Sequence, residues 1–298
     1  MAGALLNGAL DGGLLGLAAA GFTALWRVTG VLNLAQGALM ISGAYATWVV
    51  AQSAGPLLGI CAAVLLGAVL GYALQRGLLN LLPRQPAYLE LAGTFGVGLV
   101  LDALATLLFS GDYRSVSSIF GATDLVAGPA QVQAAALVAF ACALAATYAL
   151  HRVLRHTRFG LALRAASVDH DAGRLAGLPV PRLFAIAGSL SAAAAALAGG
   201  LLSLTGPFTA SDGNQLLVLI AAAALIGGAG NLWSAFTAAV ALGAIEGVVG
   251  YLAPTELTDD LALAILLVAF ALRALGARGG ARGGAGGAGG VRSLGGLP

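Results

Sequence analysis

Few side chains in this chain can do chemistry, and several of them stand where polar groups are costly. Asp11, Asp102 and Glu246 are carboxylates inside apolar runs, and Asn33 with Gln36 places two amides at i, i+3, on one face of a helix. At membrane depth such groups need partners or a wet cavity, and a carboxylate there is a candidate for a solute path or a proton relay. The packing alternative is hydrogen bonding between helices, and both readings stay open for Asn33 and Gln36. Asp11 also reads as an acid facing the outer interface. No His, Lys or paired acid accompanies Asp102 or Glu246 in the same span, so a proton relay has no support there. His151, His156 and His170 lack the spacing of a metal site and read as solvated side chains. Neither a Gly-x-Ser-x-Gly elbow nor a His-Glu-x-x-His pair occurs, which argues against an intramembrane hydrolase. All fourteen basic residues are Arg. A phosphate-cradling loop requires Gly-Lys-Ser/Thr, so a chain without Lys is not its own ATPase of that kind. No cofactor is expected in this chain, and ATP would have to be bound by partner subunits.

The elements that position these residues are long apolar segments. The chain has 298 residues, 59% hydrophobic and 9% charged, with a mean hydropathy of +0.95. Soluble domains carry about 25% charged residues, so the composition predicts an all-α, polytopic membrane protein. About 20 apolar residues make a span. Candidates are 5–25, 31–51, 57–75, 89–109, 131–150, 183–205, 214–229, 232–252 and 260–275, giving eight or nine spans. The run 5–25 lacks a basic leader and reads as a span rather than a cleavable signal. The junction Gly227-Gly228-Ala229-Gly230 reads either as a tight turn or as a broken, re-entrant helix near 227–231. Cys61 and Cys142 read as small apolar packing residues. Glycines at 93, 96 and 98, at 199 and 200, and at 243 and 247 suit close helix packing.

Arginine placement predicts the orientation. Arg27, Arg76, Arg84, the six Arg of residues 152–182, and Arg273, Arg278, Arg282 and Arg292 alternate with neutral or acidic loops, which puts the N-terminus outside and the C-terminus in the cytoplasm. Residues 1–276 form the membrane domain, and the Gly/Ala/Arg-rich 277–298 read as a disordered tail. Within 152–182, Ser167 or Asp169 can cap a helix reaching about Ala176. Gly177 suits the left-handed position after it, and Pro179 and Pro181 stop it. Val168, Ala172, Leu175 and Ala176 make an apolar stripe, with Asp171 and Arg174 opposite at i, i+3. So short a helix needs a surface: either a docking partner or the lipid interface.

With these residues in view, the chain resembles the inner-membrane permease subunits of branched-chain amino acid ABC importers. Asn33-Leu34-Ala35-Gln36-Gly37, followed by Ser42-Gly43-Ala44-Tyr45, is similar to the family's Asn-Phe-Ala-His-Gly signature. Asp171-Ala172-Gly173-x-x-x-Gly177 resembles the Glu-Ala-Ala-x-x-x-Gly spacing by which importer permeases seat an ATPase. Ile226-Gly227-Gly228-Ala229-Gly230 through Leu242-Gly243-Ala244-Ile245-Glu246 is similar to the family's Gly-Gly-x-Gly-Ser run ending in Leu-Gly-x-x-Glu. The resemblance spans about residues 5–276. It implies ATPase coupling through Asp171, Ala172, Gly173, Arg174 and Gly177, and a translocation path past Asn33, Gln36, Gly37, Tyr45 and Glu246. It implies as partners a second permease subunit (a related chain or a copy), two ABC ATPase subunits and an external solute-binding protein. A bacterial plasma membrane location follows from the same resemblance. The competing expectation is an ion- or proton-coupled carrier of a small polar solute using Asp102 or Glu246.

Overall fold

A computed structural model of the chain describes residues 1–81, 87–116, 124–127, 130–228 and 231–252. In order these form α1 (Ala2–Thr29), α2 (Gln36–Ala54), α3 (Pro56–Gly77), a 3-10 turn (Leu79–Leu81), α4 (Ala87–Phe109), β1 (Asp124–Ala127), β2 (Ala130–Gln133), α5 (Ala134–His156), α6 (Arg158–Val168), α7 (His170–Leu175), α8 (Val180–Thr205), α9 (Asp212–Gly227) and α10 (Leu232–Leu252). The fold is helical as expected, apart from the four-residue strands β1 and β2, which pair antiparallel.

Six of these helices are long and apolar enough to cross a membrane: α1, α3, α4, α5, α8 and α10. Of the nine expected spans, 31–51 and 214–229 do not meet that standard. Starting only at Gln36, α2 is long enough with 19 residues but not apolar enough, and α9 has only 16 residues. The ninth candidate, 260–275, and the Gly/Ala/Arg tail lie outside the described residues. Burial separates the helices further. The most apolar window of α1 is 89% buried and that of α8 61%, against 17–33% for α3, α4, α5 and α10. Two central helices therefore carry the core, and the others turn leucine-rich faces outward, Leu107 and Leu108 of α4 among them. Cys61 and Cys142 are on those exposed faces rather than packed inside the chain. Outward apolar surface is stable in lipid, where no water drives it inward.

Small residues make the central packing possible. Gly8 and Gly12 of α1 face Gly243 and Gly247 of α10, so the Gly-x-x-x-Gly spacing of α10 has a matching pair as its partner. A Cβ on Gly12 would lie 2.6 Å from the Ala239 carbonyl oxygen, and one on Gly243 2.6 Å from Gly12 Cα. Backbone meets backbone here, and neither helix can give way by a rotamer change. Gly200 of α8 is as tight, its added Cβ falling 2.6 Å from Thr47 Oγ1. Gly96, also expected at a tight contact, faces nothing within 4 Å.

The expected junction near 227–231 falls between the end of α9 at Gly227 and the start of α10 at Leu232, and its residues 229–230 lie outside the described residues. Gly227 packs on Ala235, while Asn231 lines a cavity with Arg27, Arg155 and Arg164. The interruption at depth is the non-helical stretch 30–35 between α1 and α2. Gln36 bonds to Ala18, eleven residues before the end of α1, and to Ser191, eleven residues after the start of α8. At 1.5 Å rise per residue, α2 therefore starts about 16 Å inside the bundle. Irregular backbone is tolerated at membrane depth only where protein satisfies it. Here Asn33 Oδ1 accepts from the Ala35 N–H (3.1 Å) and Thr94 Oγ1 from the Leu34 N–H (3.2 Å).

Candidate functional site

Two sites emerge, one inside the bundle and one at its arginine-rich end. The inner one is built on the break before α2. The Gln36 amide donates to the carbonyls of Ala18 (3.3 Å) and Ser191 (3.2 Å), and its Oε1 accepts from Ser191 Oγ (3.4 Å) and Asn33 Nδ2 (3.5 Å). One side chain thus ties α1, α2 and α8 together at mid-depth, and it is fully enclosed. Gly37 follows, pressed against Gly213 and Leu217 of α9. The carboxylate of Asp102 meets the same end of α9: a Cβ on Gly213 would fall 2.8 Å from Asp102 Oδ1, which has no hydrogen-bond partner. The N-termini of α2 and α9 and one carboxylate therefore converge inside the bundle.

Tyr45 lies two and a half turns further along α2, towards the opposite end. Its ring stacks on Phe109 (centroids 4.3 Å apart, 7° between planes) and meets Phe208 edge-on at 5.0 Å. Trp48, one turn on, packs against Phe109 and carries the Arg114 guanidinium over its face at 4.8 Å. Arg114 pairs with Asp112 at 3.3 Å. Its N–H donates to the Phe208 carbonyl (3.0 Å), the Phe208 N–H donates back (2.9 Å), and the Val116 N–H donates to the Ser203 carbonyl (2.9 Å). Asp212 holds the adjoining turn by accepting from the N–H (2.8 Å) and hydroxyl (2.7 Å) of Thr209. Aromatic rings and two bridged loops close this end. Each backbone hydrogen bond contributes roughly 1 kcal/mol net, and an exposed cation–π contact about 0.5–1 kcal/mol. The closure is therefore worth a few kcal/mol, which differential binding of a partner can overcome. Sequence reasoning missed Trp48, Phe109, Arg114 and Phe208. The Tyr45, Trp48 spacing on one helix face was the available signal, while Arg114 looked like a minor charge in a near-neutral loop.

Glu246 is not brought to this group. It lies on the seam between α1 and α10, lining a cavity of about 280 Å³ with Asn7 and Asp11. Asp11 is thus near a second carboxylate, an arrangement no single span revealed.

The second site is the segment after α5. Thr157 caps α6, accepting from the Gly160 N–H at 3.1 Å. Leu163 and Ala166 of α6 pack on Leu25 and Val28 of α1 and on Val180, Leu183 and Phe184 of α8. On that platform rests α7. Of the two expected caps, Asp169 is the one used, its Oδ1 accepting from the N–H groups of Asp171 (2.9 Å) and Ala172 (3.0 Å). Gly177 has φ +81°, with its N–H donating to the Arg174 carbonyl and that of Leu178 to the Gly173 carbonyl, both 3.0 Å. This is a Schellman ending. Gly173 is the buried face: a Cβ there would meet Ala166 Cα and Val180 Cγ2 at 3.4 Å, so the small residue fits the seat. His170 meets the Phe184 ring edge-on at 5.1 Å. Val168 ends α6 instead of opening α7, and it is 88% exposed. Leu175 is 91% exposed, and Ala172 and Ala176 are exposed beside it. The apolar stripe thus faces away from the chain. Asp171 and Arg174 do not pair; among the described residues the ion pair found is Arg114 with Asp112.

The family model described as "Branched-chain amino acid transport system / permease component" matches residues 4–270. The high-affinity branched-chain amino acid transport system permease protein LivH of Salmonella typhimurium is 23% identical over 287 residues, covering 91% of this chain and 93% of that one. LivH of Escherichia coli K12 is 24% identical with the same coverage. The probable branched-chain amino acid transport permease protein LivH of Methanocaldococcus jannaschii is 27% identical over 259 residues, covering 83% of this chain and 81% of its own. Among solved structures, PsaBC from Streptococcus pneumoniae in complex with Fab aligns with TM-score 0.44 at 15% identity, over 89% of this chain and 90% of that one. The LivH relatives are transport permease proteins, not enzymes. The apolar helices and the match across residues 4–270 lead to one conclusion: the chain belongs to the branched-chain amino acid ABC permease family, as a multi-pass membrane protein.

Proposed function

We propose that this chain is the permease subunit of an ATP-driven importer that carries branched-chain or related amino acids and couples to separate ATPase subunits through α7. The observation that carries the coupling is the outward apolar stripe. A six-residue helix is too short to persist alone, yet this one is capped at both ends, seated by Gly173, and turns Leu175, Ala172 and Ala176 to the outside. Such a face calls for a partner. Its place in the arginine-rich segment, near the end where Arg27, Arg155 and Arg164 share a cavity, supports a cytoplasmic partner by the positive-inside rule. The N-terminus is then outside and the C-terminus inside. Spans include α2 and α9 as shorter members, and eight or nine cross in total, in a bacterial plasma membrane. ATP is bound by two partner ATPases. A second permease subunit, related or identical, completes the path, and an external binding protein delivers the solute to the closed end around Tyr45, Arg114 and Phe208. Closure of the ATPases on α7 shifts the bundle between two states, each stabilised by a different partner. The path runs from Tyr45 past Gly37 and the break at 30–35. Asn33 and Gln36 hold that break in shape, while Glu246 serves the α1–α10 seam.

The test is co-expression with candidate ATPases and purification through a tag on this chain. Leu175→Asp is expected to lose the ATPases while the chain's own melting temperature stays unchanged, because the side chain is exposed. Full retention of the ATPases would remove the coupling role. A proton-coupled carrier has one observation in its favour, the Asp11 and Glu246 cavity. Glu246→Gln separates the two: loss of uptake together with its pH dependence favours the carrier, and ATP-dependent uptake that persists favours the importer.

A further inference from the structure

At the arginine-rich end, a cavity of about 390 Å³ opens between the ends of α1 and α5, α6 and the start of α10. We propose that it binds a phosphate oxyanion, carried by the headgroup of an anionic phospholipid or free in solution. Three helices supply cations to it: Arg27 from the last turn of α1, Arg155 from the last turn of α5, and Arg164 from within α6. These arginines are exposed, whereas Ala24, Leu163 and Leu232, which line the same cavity, are buried. The charged groups thus stand at the mouth and apolar ones deeper in, an order that suits a headgroup phosphate with its glycerol and first acyl carbons. No Asp or Glu is among the described lining residues. Basic pockets between membrane helices are sites where anionic headgroups bind.

The positive-inside rule accounts for arginines at this end of the bundle, but not for their convergence on one cavity. Nor does the fold neutralise them. Neither Arg155 nor Arg164 forms an ion pair among the described residues. The C-terminus of α5 offsets about half a charge, so this pair alone keeps roughly one and a half positive charges, enough for one phosphate. The two are also held together, since Arg164 Nη2 donates to the Arg155 carbonyl at 3.2 Å. A guanidinium fixed through one nitrogen keeps further N–H donors, and its planar fork matches a phosphate. Asn231 adds a neutral donor. Its Oδ1 accepts from the Trp233 N–H (3.2 Å), which leaves the amide nitrogen for an occupant. A bound phosphate would bridge α5, α6 and the start of α10, and so stiffen the platform on which α7 rests. The inference needs only a chain in a membrane, not the coupling or transport reading.

The test separates the two sources. The full chain in detergent is titrated with dioleoylphosphatidylglycerol and with dioleoylphosphatidylcholine, and bound lipid is counted by native mass spectrometry. Radiolabelled inorganic phosphate is titrated against the chain in phosphatidylcholine nanodiscs, at an ionic strength that screens diffuse surface attraction. Arg155→Gln and Arg164→Gln are compared with Arg152→Gln, which removes the same charge from α5 outside the cavity. Phosphatidylglycerol is expected to bind at least about tenfold more tightly than phosphatidylcholine, whose trimethylammonium would face the arginines. Each cavity variant is expected to weaken phosphatidylglycerol by about tenfold, the loss of one charge-assisted hydrogen bond. Arg152→Gln should leave it unchanged. Melting curves check that each variant folds, and if Arg164→Gln does not, Arg155→Gln decides alone. If the two lipids bind alike but inorganic phosphate binds and the cavity variants weaken it, the oxyanion is the soluble one and the site stands. Binding that the cavity variants do not alter, or that Arg152→Gln weakens as much, overturns the proposal, as does binding of neither probe. Such a failure would leave ATPase co-purification, and the transport reading, untouched.

Discussion

Replacing Gly177 with valine tests the coupling role proposed for α7 with the fewest side effects. An added Cβ at this position meets nothing within 4 Å, so no neighbour is displaced. The penalty is purely conformational. Gly177 holds φ +81°, where an ordinary L-residue costs about 1–2 kcal/mol and a β-branched one lies at or above the upper end. If the residue escapes to negative φ, the two 3.0 Å bonds that end α7 are lost, at roughly 0.5–1.5 kcal/mol each. Either route costs about 2 kcal/mol, a factor of about 30 in the population of the capped helix. Asparagine, which tolerates the left-handed region, should largely retain it. The assay is the reconstituted complex in proteoliposomes, measuring ATPase stimulation by the solute-loaded binding protein alongside uptake. Gly177→Val is expected to lose stimulated ATPase and uptake together, Gly177→Asn to keep most of both, and neither to lower the melting temperature of the membrane body. Stimulation that is unchanged in Gly177→Val, or equal in the two variants, would refute the reasoning, since it would show that the shape of α7 does not transmit.

Three further outcomes follow from the packing. Gln36→Leu leaves the Ser191 and Asn33 groups without their partner, and at roughly 1–3 kcal/mol for buried groups so stranded it should lower the chain's melting temperature measurably in detergent; an unchanged melting curve would mean the amide is not a structural tie. Gly243→Val drives a side chain into the Gly12 backbone and is expected to abolish recovery of folded monodisperse protein, whereas the same change at Gly96, which faces open space, should be tolerated; equal yields would contradict the α1–α10 seam. A cysteine in place of the exposed Val168, in a background without Cys61 and Cys142, should resist impermeant maleimide in intact cells and react after permeabilisation; labelling from outside would invert the orientation.

The local features of this protein were legible in its sequence because they obey local rules. The caps at Asp169 and Gly177, the stop before Val180 and the apolar stripe of α7 each depend on residues within a few positions of one another. Asn33 and Gln36 were singled out by spacing, and both of their readings were physically open until Ala18 and Ser191 were seen to occupy the Gln36 amide. The span boundaries were less secure. Hydropathy sums the transfer of a segment to lipid, and α2 owes its place partly to polar bonds with α1, α4 and α8 that no such sum contains.

The sequence by itself determined that this is a helical membrane permease with its arginines gathered at one end, because composition, charge placement and motif spacing are properties of the chain alone. Only the tertiary structure decided that the backbone breaks at 30–35, that Glu246 joins Asp11 and Asn7 instead of Asn33 and Tyr45, and that Arg114 and Phe208 close the far end. Each of these rests on residues far apart in the chain that meet between elements, Gln36 with Ser191, Asp11 with Glu246 and Arg114 with Phe208. Which seam a helix chooses is fixed by mutual packing, and no window of sequence contains both of its sides.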